Sequence, residues 1–262
     1  MKKGILALAL FSSLASCRVS VTSEGPQDVV YVSAAISLSS ALTKAAMDYQ
    51  QVTGTKVVLN LAGSDTLATQ LIEGAPVDLL ISADISQMDR VENLDRIRPE
   101  TRVDLLSNRL TIVVPTDRLN SVMVPEDLRR FAIRRIALGD PNAVPAGVYA
   151  KEYLESIGIW SDVRSKVVPT RNVRAALAAV EAGNVDAAIV YRTDVSLATD
   201  VLVAVEIPIQ EGPAIRYPAA IVRDAENDAS AYRFLKYLWS DDVRKIFQRS
   251  GFIVLGKGVT VR

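Results

Sequence analysis

The 262-residue chain contains no histidine and a single cysteine. Without histidine there is no Ser-His-Asp or Cys-His nucleophile arrangement and no His-bearing metal site. One cysteine cannot build a thiolate cage, a CxxC redox pair or an internal disulfide. Net charge is also missing: 30 Lys and Arg balance 30 Asp and Glu, so no long-range field selects nucleic acid or anionic lipid. Aromatics make up 6% of the chain and no basic face carries them interleaved, which argues against a nucleic-acid reader. No P-loop and no GxGxxG occurs. Catalysis would have to rest on carboxylate, Lys or Tyr chemistry. The nearest carboxylates, Asp78, Asp84 and Asp140, sit where helix capping and turn chemistry account for them. The expectation is a non-enzyme without a cofactor.

What is present begins at the N-terminus. Lys2 and Lys3 precede a mostly apolar stretch, residues 4–13, too short to span a bilayer, and Leu14-Ala15-Ser16-Cys17 follows. Residues 1–16 read as a signal peptide. The Leu-Ala-Ser-Cys tetrad resembles the bacterial lipobox, which makes Cys17 the expected lipidation site. Residues 17–27, rich in Ser, Thr, Gly, Pro and Gln, read as a flexible tether. The expected product is exported to the periplasmic or cell-surface side and held on a membrane by its acyl chains without spanning it.

Beyond residue 28, strand and helix patterns alternate almost without interruption, which argues for an α/β fold with mostly parallel sheets. Four β-branched or apolar runs each stop where an amphipathic helix begins. Val29-Val30-Tyr31-Val32 leads into Ser37, and Val57-Val58-Leu59 leads into Gly63-Ser64. Ile136-Ala137-Leu138 leads into Pro145-Ala146-Gly147, and Val167-Val168-Pro169 leads into Asn172-Val173. The first N–H groups of a helix have no intrahelical acceptor and carry a partial positive charge, so such turns suit an anion. In a parallel sheet they collect at the carboxyl edge. The first two strand-helix units are echoed after Pro125, which predicts two lobes. Lobe one comprises residues 28–110 plus 206–262 and lobe two residues 111–205. The chain crosses near 107–116 and 201–208, with a ligand cleft between the lobes.

Six segments, in order, carry a resemblance. They are Ala34-Ala35-Ile36-Ser37-Leu38; Gly63-Ser64-Asp65-Thr66-Leu67-Ala68; Val77-Asp78-Leu79-Leu80-Ile81-Ser82-Ala83-Asp84; Gly139-Asp140-Pro141 through Val144-Pro145-Ala146-Gly147-Val148-Tyr149-Ala150; Asn172-Val173-Arg174-Ala175-Ala176-Leu177; and Ile189-Val190-Tyr191. From about residue 28 to Ile253 their order and spacing resemble the molybdate-binding proteins of bacterial ABC import systems, which have the type II periplasmic binding protein fold. The resemblance implies a two-lobed receptor, expected as a monomer, that binds molybdate or tungstate and delivers it to an ABC permease. It places the oxyanion ligands at Ser37, Ser64, Ala146, Val173 and Tyr191. Ser37 and Ser64 would offer a hydroxyl and a nearby amide, Ala146 and Val173 backbone N–H groups only, and Tyr191 its phenolic O–H. Molybdenum would be held as its oxyanion, with no direct metal ligand.

Taken singly, each of these residues has a plainer account. A serine at a helix start is an N-cap, Pro145-Ala146-Gly147 an ordinary first turn, Val173 a core residue and Tyr191 a strand residue. Asp65 departs from the small or hydroxyl residue common in the family at that position. Turned into the cleft it would repel a dianion; turned outward at a helix start it is favourable. Arg171 and Arg174 flank Val173 and read as solvated helix charges; the alternatives are that one guides the anion in or pairs with Asp140 or Glu181. The alternative functions are a sensory or binding protein of the same fold for another oxyanion or small anionic ligand, or for ferric iron.

Overall fold

The β-prone run Val29-Val30-Tyr31-Val32 opens β1 (Val29–Ala35), and β2 (Lys56–Ala62) lies beside it, parallel and in register from Val29 opposite Lys56 to Ala35 opposite Ala62. This is the computed structural model of the protein, which describes residues 28–118 and 121–256. The expected signal peptide, Cys17 and the tether lie outside the described residues. On the other side of β1 runs β3 (Leu79–Ile81), also parallel. With β4 (Val103–Ser107), β10 (Tyr217–Ile221) and β11 (Ile253–Val254) they form a six-stranded sheet in the order β11-β4-β10-β3-β1-β2. A five-stranded sheet in the order β7-β6-β8-β5-β9 contains β5 (Leu110–Pro115), β6 (Ile136–Gly139), β7 (Val167–Thr170), β8 (Ala187–Tyr191) and β9 (Val201–Glu206).

Both sheets are mixed. The parallel strands foreseen from the strand-helix alternation are β2-β1-β3 in one and β7-β6-β8 in the other. The remaining pairs are antiparallel. Connectivity explains this: β4 carries the chain out of the first sheet through Asn108 and Arg109, so β5 enters the second sheet against β8. The chain returns through residues 207–216, and β10 then enters the first sheet against β3.

Each parallel strand feeds a helix. The helices α1 (Ser39–Thr53), α2 (Ser64–Ile72) and α3 (Ile85–Asn93) follow β1, β2 and β3. After β6, β7 and β8 come α4 (Pro145–Ser156) with a short α5 (Trp160–Val163), then α6 (Val173–Glu181) and α7 (Arg192–Val195). The stripe Leu42, Ala45, Ala46 and Tyr49 of α1 is buried, and the helix ends at Gly54 with φ 74°, the left-handed conformation glycine adopts most readily. The closing helices α8 (Asp228–Tyr237) and α9 (Asp241–Arg249) pack with the first sheet and α1, and Tyr49 meets Phe234 edge-on at 5.1 Å between ring centroids. The turns at the carboxyl ends of β1, β2 and β3 therefore face those of β6, β7 and β8.

Candidate functional site

Between those two sets of turns lies a small cavity. Ser37, Ser64 and Ala83 wall it from the first sheet, and Ala146, Asn172, Val173 and Tyr191 from the second. All five residues expected from sequence thus meet in one place. None of the five is more than 4% exposed. The cavity is about 20 Å³, room for a few atoms rather than for a sugar or an amino acid.

Three of the helix starts around it carry no side-chain cap. The residues in the capping position are Ala35 for the short 3₁₀ turn Ile36–Leu38, Gly63 for α2 and Val144 for α4, and none offers a side-chain capping bond. By contrast, Asp84 accepts from Gln87 N–H at 2.8 Å at the start of α3, and Ser240 accepts from Val243 N–H at the start of α9. At α6 the Asn172 side chain takes the N–H of Ala175 (2.9 Å), which leaves those of Val173 and Arg174 to other acceptors. First-turn N–H groups have no acceptor within their own helix. Three buried helix starts without caps therefore present a surplus of donors to one small space.

Close packing brings one of these starts into position. A Cβ on Gly147 would lie 1.9 Å from the Gly139 carbonyl oxygen, so only glycine lets the first turn of α4 rest on the end of β6. That contact fixes the Ala146 amide against the cavity.

Neither serine is a cap, contrary to the plainer account of each. Ser64 Oγ accepts the N–H of Ala83 at 2.9 Å. Ser37 Oγ lies 3.1 Å from the Tyr217 hydroxyl, which in turn accepts from Asn108 Nδ2 at 3.1 Å. Tyr191 ends β8 with its ring 6.0 Å from that of Tyr217, and its hydroxyl is buried without a hydrogen-bond partner among the described residues. Burial raises the Tyr191 phenol well above its ordinary pKa, so it remains a neutral O–H donor.

Among the described residues no charged side chain lines the cavity. Asp65, in the first turn of α2, is absent from its wall; its carboxylate folds back beside Gly63. Arg174 pairs with Asp194 at 2.9 Å, not with Asp140 or Glu181, and reaches Ser39 of α1 with Nη2 at 3.4 Å. Burial raises Asp194 to about 7 despite that guanidinium. Arg171 is exposed, as a solvated helix charge would be. Asp84, behind Ala83, is held up at about 6, chiefly by burial. Asp78 ties β1 to the loop before α8 by accepting from Tyr31 and Asn227, and Asp140 accepts from Asn142 N–H within its turn. Among the described residues no group of three or more His, Cys, Asp or Glu could hold a metal ion, and no helix is long and apolar enough to cross a membrane.

Sequence reasoning did not single out Asn108, Tyr217 or Asp194. Asn108 follows an unrecognised strand, and Tyr217 lies 180 residues from its partner Ser37.

The bacterial extracellular solute-binding protein family matches residues 30–253. The molybdate-binding protein ModA of Escherichia coli (strain K12) is 36% identical over 229 residues, covering 86% of this chain and 89% of that protein. A Bacillus subtilis (strain 168) relative bearing the name of an ABC transporter substrate-binding lipoprotein is 33% identical over 254 residues, 95% of this chain and 96% of its own. Among solved structures, the periplasmic molybdate-binding protein of Azotobacter vinelandii superimposes with a TM-score of 0.76 at 19% identity, over 87% of this chain and 100% of that one. The superposition establishes the type II periplasmic binding protein fold, and the family match spans both of its sheets. The chain accordingly belongs to the bacterial extracellular solute-binding proteins.

Proposed function

We propose that the protein is an extracytoplasmic receptor that captures molybdate or tungstate and delivers it to an ABC importer. The observation that carries this reading is the buried hydroxyl of Tyr191, without a partner among the described residues, on a residue that lines a cavity whose other walls include uncapped helix starts and two serines. Molybdate is a fully deprotonated tetrahedral dianion at neutral pH and accepts hydrogen bonds without donating any. Neutral donors gathered from several elements can satisfy it without Lys or Arg. Hydrogen phosphate would bring an O–H that finds no acceptor, at a cost of about 1–3 kcal/mol. Sulfate, also acceptor-only, is smaller and would leave some donors unmet. Tungstate shares molybdate's charge and size, so both fit the reading.

Ser37 and Ser64 would hold the anion from lobe one, residues 28–110 with 206–262, and Ala146, Val173 and Tyr191 from lobe two, residues 111–205. Because the contacts come from both lobes, the anion would favour the closed form, as differential affinity requires. The ModA relatives and the extracellular family support this receptor role, and the Bacillus relative's name agrees with lipidation at Cys17. The receptor would act as a lipid-anchored monomer, without a cofactor. Calorimetric titration with molybdate, tungstate, sulfate and phosphate tests the reading. Tight one-to-one binding of the first two with the others silent is the expected result; silence from all four would refute it.

A further inference from the structure

Asn108 stands where the chain passes from the first sheet to the second, and its buried amide is fully engaged. Its Oδ1 accepts the N–H of Arg109 at 2.9 Å, which fixes the orientation of the amide. Nδ2 then faces two hydroxyls, Thr193 Oγ1 at 2.9 Å and Tyr217 Oη at 3.1 Å. An amide nitrogen only donates, so both oxygens receive. Tyr217 Oη, having accepted one hydrogen, has its own to give, and its other neighbour is Ser37 Oγ at 3.1 Å, a pair in which either oxygen could donate. Burial of Tyr217 raises the phenol far above its ordinary pKa, so the hydrogen stays in place. With Tyr217 as the donor, Ser37 Oγ uses one of its two lone pairs on the phenol and keeps its own hydrogen to give toward the cavity it lines.

We propose that Asn108 and Tyr217 are positioning residues that turn the Tyr217 hydrogen toward Ser37, so that the Ser37 hydroxyl meets the ligand as a donor in preference to an acceptor. The proposal rests on the oxyanion reading above and deepens it by naming what enforces selection against protonated oxyanions. Ser64 needs no relay, because a backbone N–H, that of Ala83, already occupies its oxygen. Ser37 has no such backbone donor. A freely rotating Ser37 could turn a lone pair inward and accept the O–H of hydrogen phosphate or hydrogen arsenate. The relay disfavours that option, and it does so with two side chains that do not themselves line the cavity.

A packing role for Tyr217 is separable, because Tyr217→Phe keeps the ring against Phe252 and Tyr191 while removing the hydrogen given to Ser37. The test is calorimetric titration of the full protein with molybdate and with arsenate at mildly alkaline pH, where arsenate is a singly protonated dianion. Four forms are compared: wild type, Tyr217→Phe, Ser37→Ala and the double variant. Tyr217→Phe is expected to narrow the molybdate-to-arsenate affinity ratio about tenfold. Added to Ser37→Ala it is expected to change that ratio less than about twofold, since the relay then has no target. Asn108→Ala, which cuts the relay one step earlier, should narrow the ratio in the same direction and serves if Tyr217→Phe does not fold. An unchanged ratio in Tyr217→Phe, or equal narrowing in both backgrounds, with wild-type molybdate binding intact, would overturn the relay alone. Wild-type protein that binds no molybdate would overturn the oxyanion reading and the relay with it.

Discussion

Tyr191 ends a buried strand with a hydroxyl that satisfies nothing in the described chain. Such an atom destabilises the ligand-free protein, because a buried O–H without a partner has lost its bonds to water. Tyr191→Phe should therefore have opposite effects on two measurements. Molybdate affinity should fall by about 1–3 kcal/mol, while the ligand-free protein should melt no lower than wild type. Loss of both together in calorimetry and thermal melting would mean that the hydroxyl serves the fold instead. At this scale the sequence was informative about position and silent about partners. The strand-helix pattern marks the helix starts where Ser37, Ser64, Ala146 and Val173 lie and the strand that Tyr191 ends, and the family resemblance singled out these five among them. That Ser37 bonds Tyr217, and Tyr217 bonds Asn108, depends on residues 180 and 109 positions apart, and no local pattern encodes that.

Secondary-structure elements deliver these residues through their ends. The strand runs and helix stripes of β1, α1, β5, α6 and β8 could be read from apolar periodicity, and α1 stops at Gly54 as its sequence suggested. Strand β4 could not, because Asp104 interrupts a five-residue run and pairs with Arg216 from a distant segment. The two-residue β11 and four-residue α7 are too short to leave a period. The glycine contact between α4 and β6 gives a strict prediction. In Gly147→Ala the new methyl would meet the Gly139 and Asp140 carbonyl oxygens at 1.9 and 2.8 Å. The helix start must then move, at about 2 kcal/mol or more, and urea unfolding should show that loss together with weakened anion binding. Unchanged stability and binding would mean that α4 does not depend on this contact.

Asp84 gives an element-scale prediction about pH. Its folded pKa, about 6, lies above its ordinary 3.8. A raised acid favours the folded state below about pH 4, and that contribution is lost as the pH rises through about 6, at about 3 kcal/mol in full. Asp84→Asn keeps a residue able to cap α3 and removes the titration. Its stability advantage over wild type in urea should be absent near pH 4 and present near pH 8. An advantage independent of pH would refute the assignment.

The whole molecule joins two mixed sheets so that the carboxyl edges of their parallel strands face each other across a cavity that, among the described residues, no charged side chain lines. Two lobes could be anticipated because the strand-helix units repeat after Pro125. The antiparallel halves of the sheets could not, since they follow from where the chain crosses and returns. Recognition on this account is a property of the closed pair of lobes, with neutral donors converging from both on one anion. Molybdenum anomalous diffraction from crystals grown with molybdate tests that claim most directly. The account predicts a single strong peak between the lobes, with its oxygens in hydrogen-bond reach of Ser37, Ser64, Ala146, Val173 and Tyr191. A peak held by one lobe alone, or against charged side chains elsewhere on the surface, would contradict it.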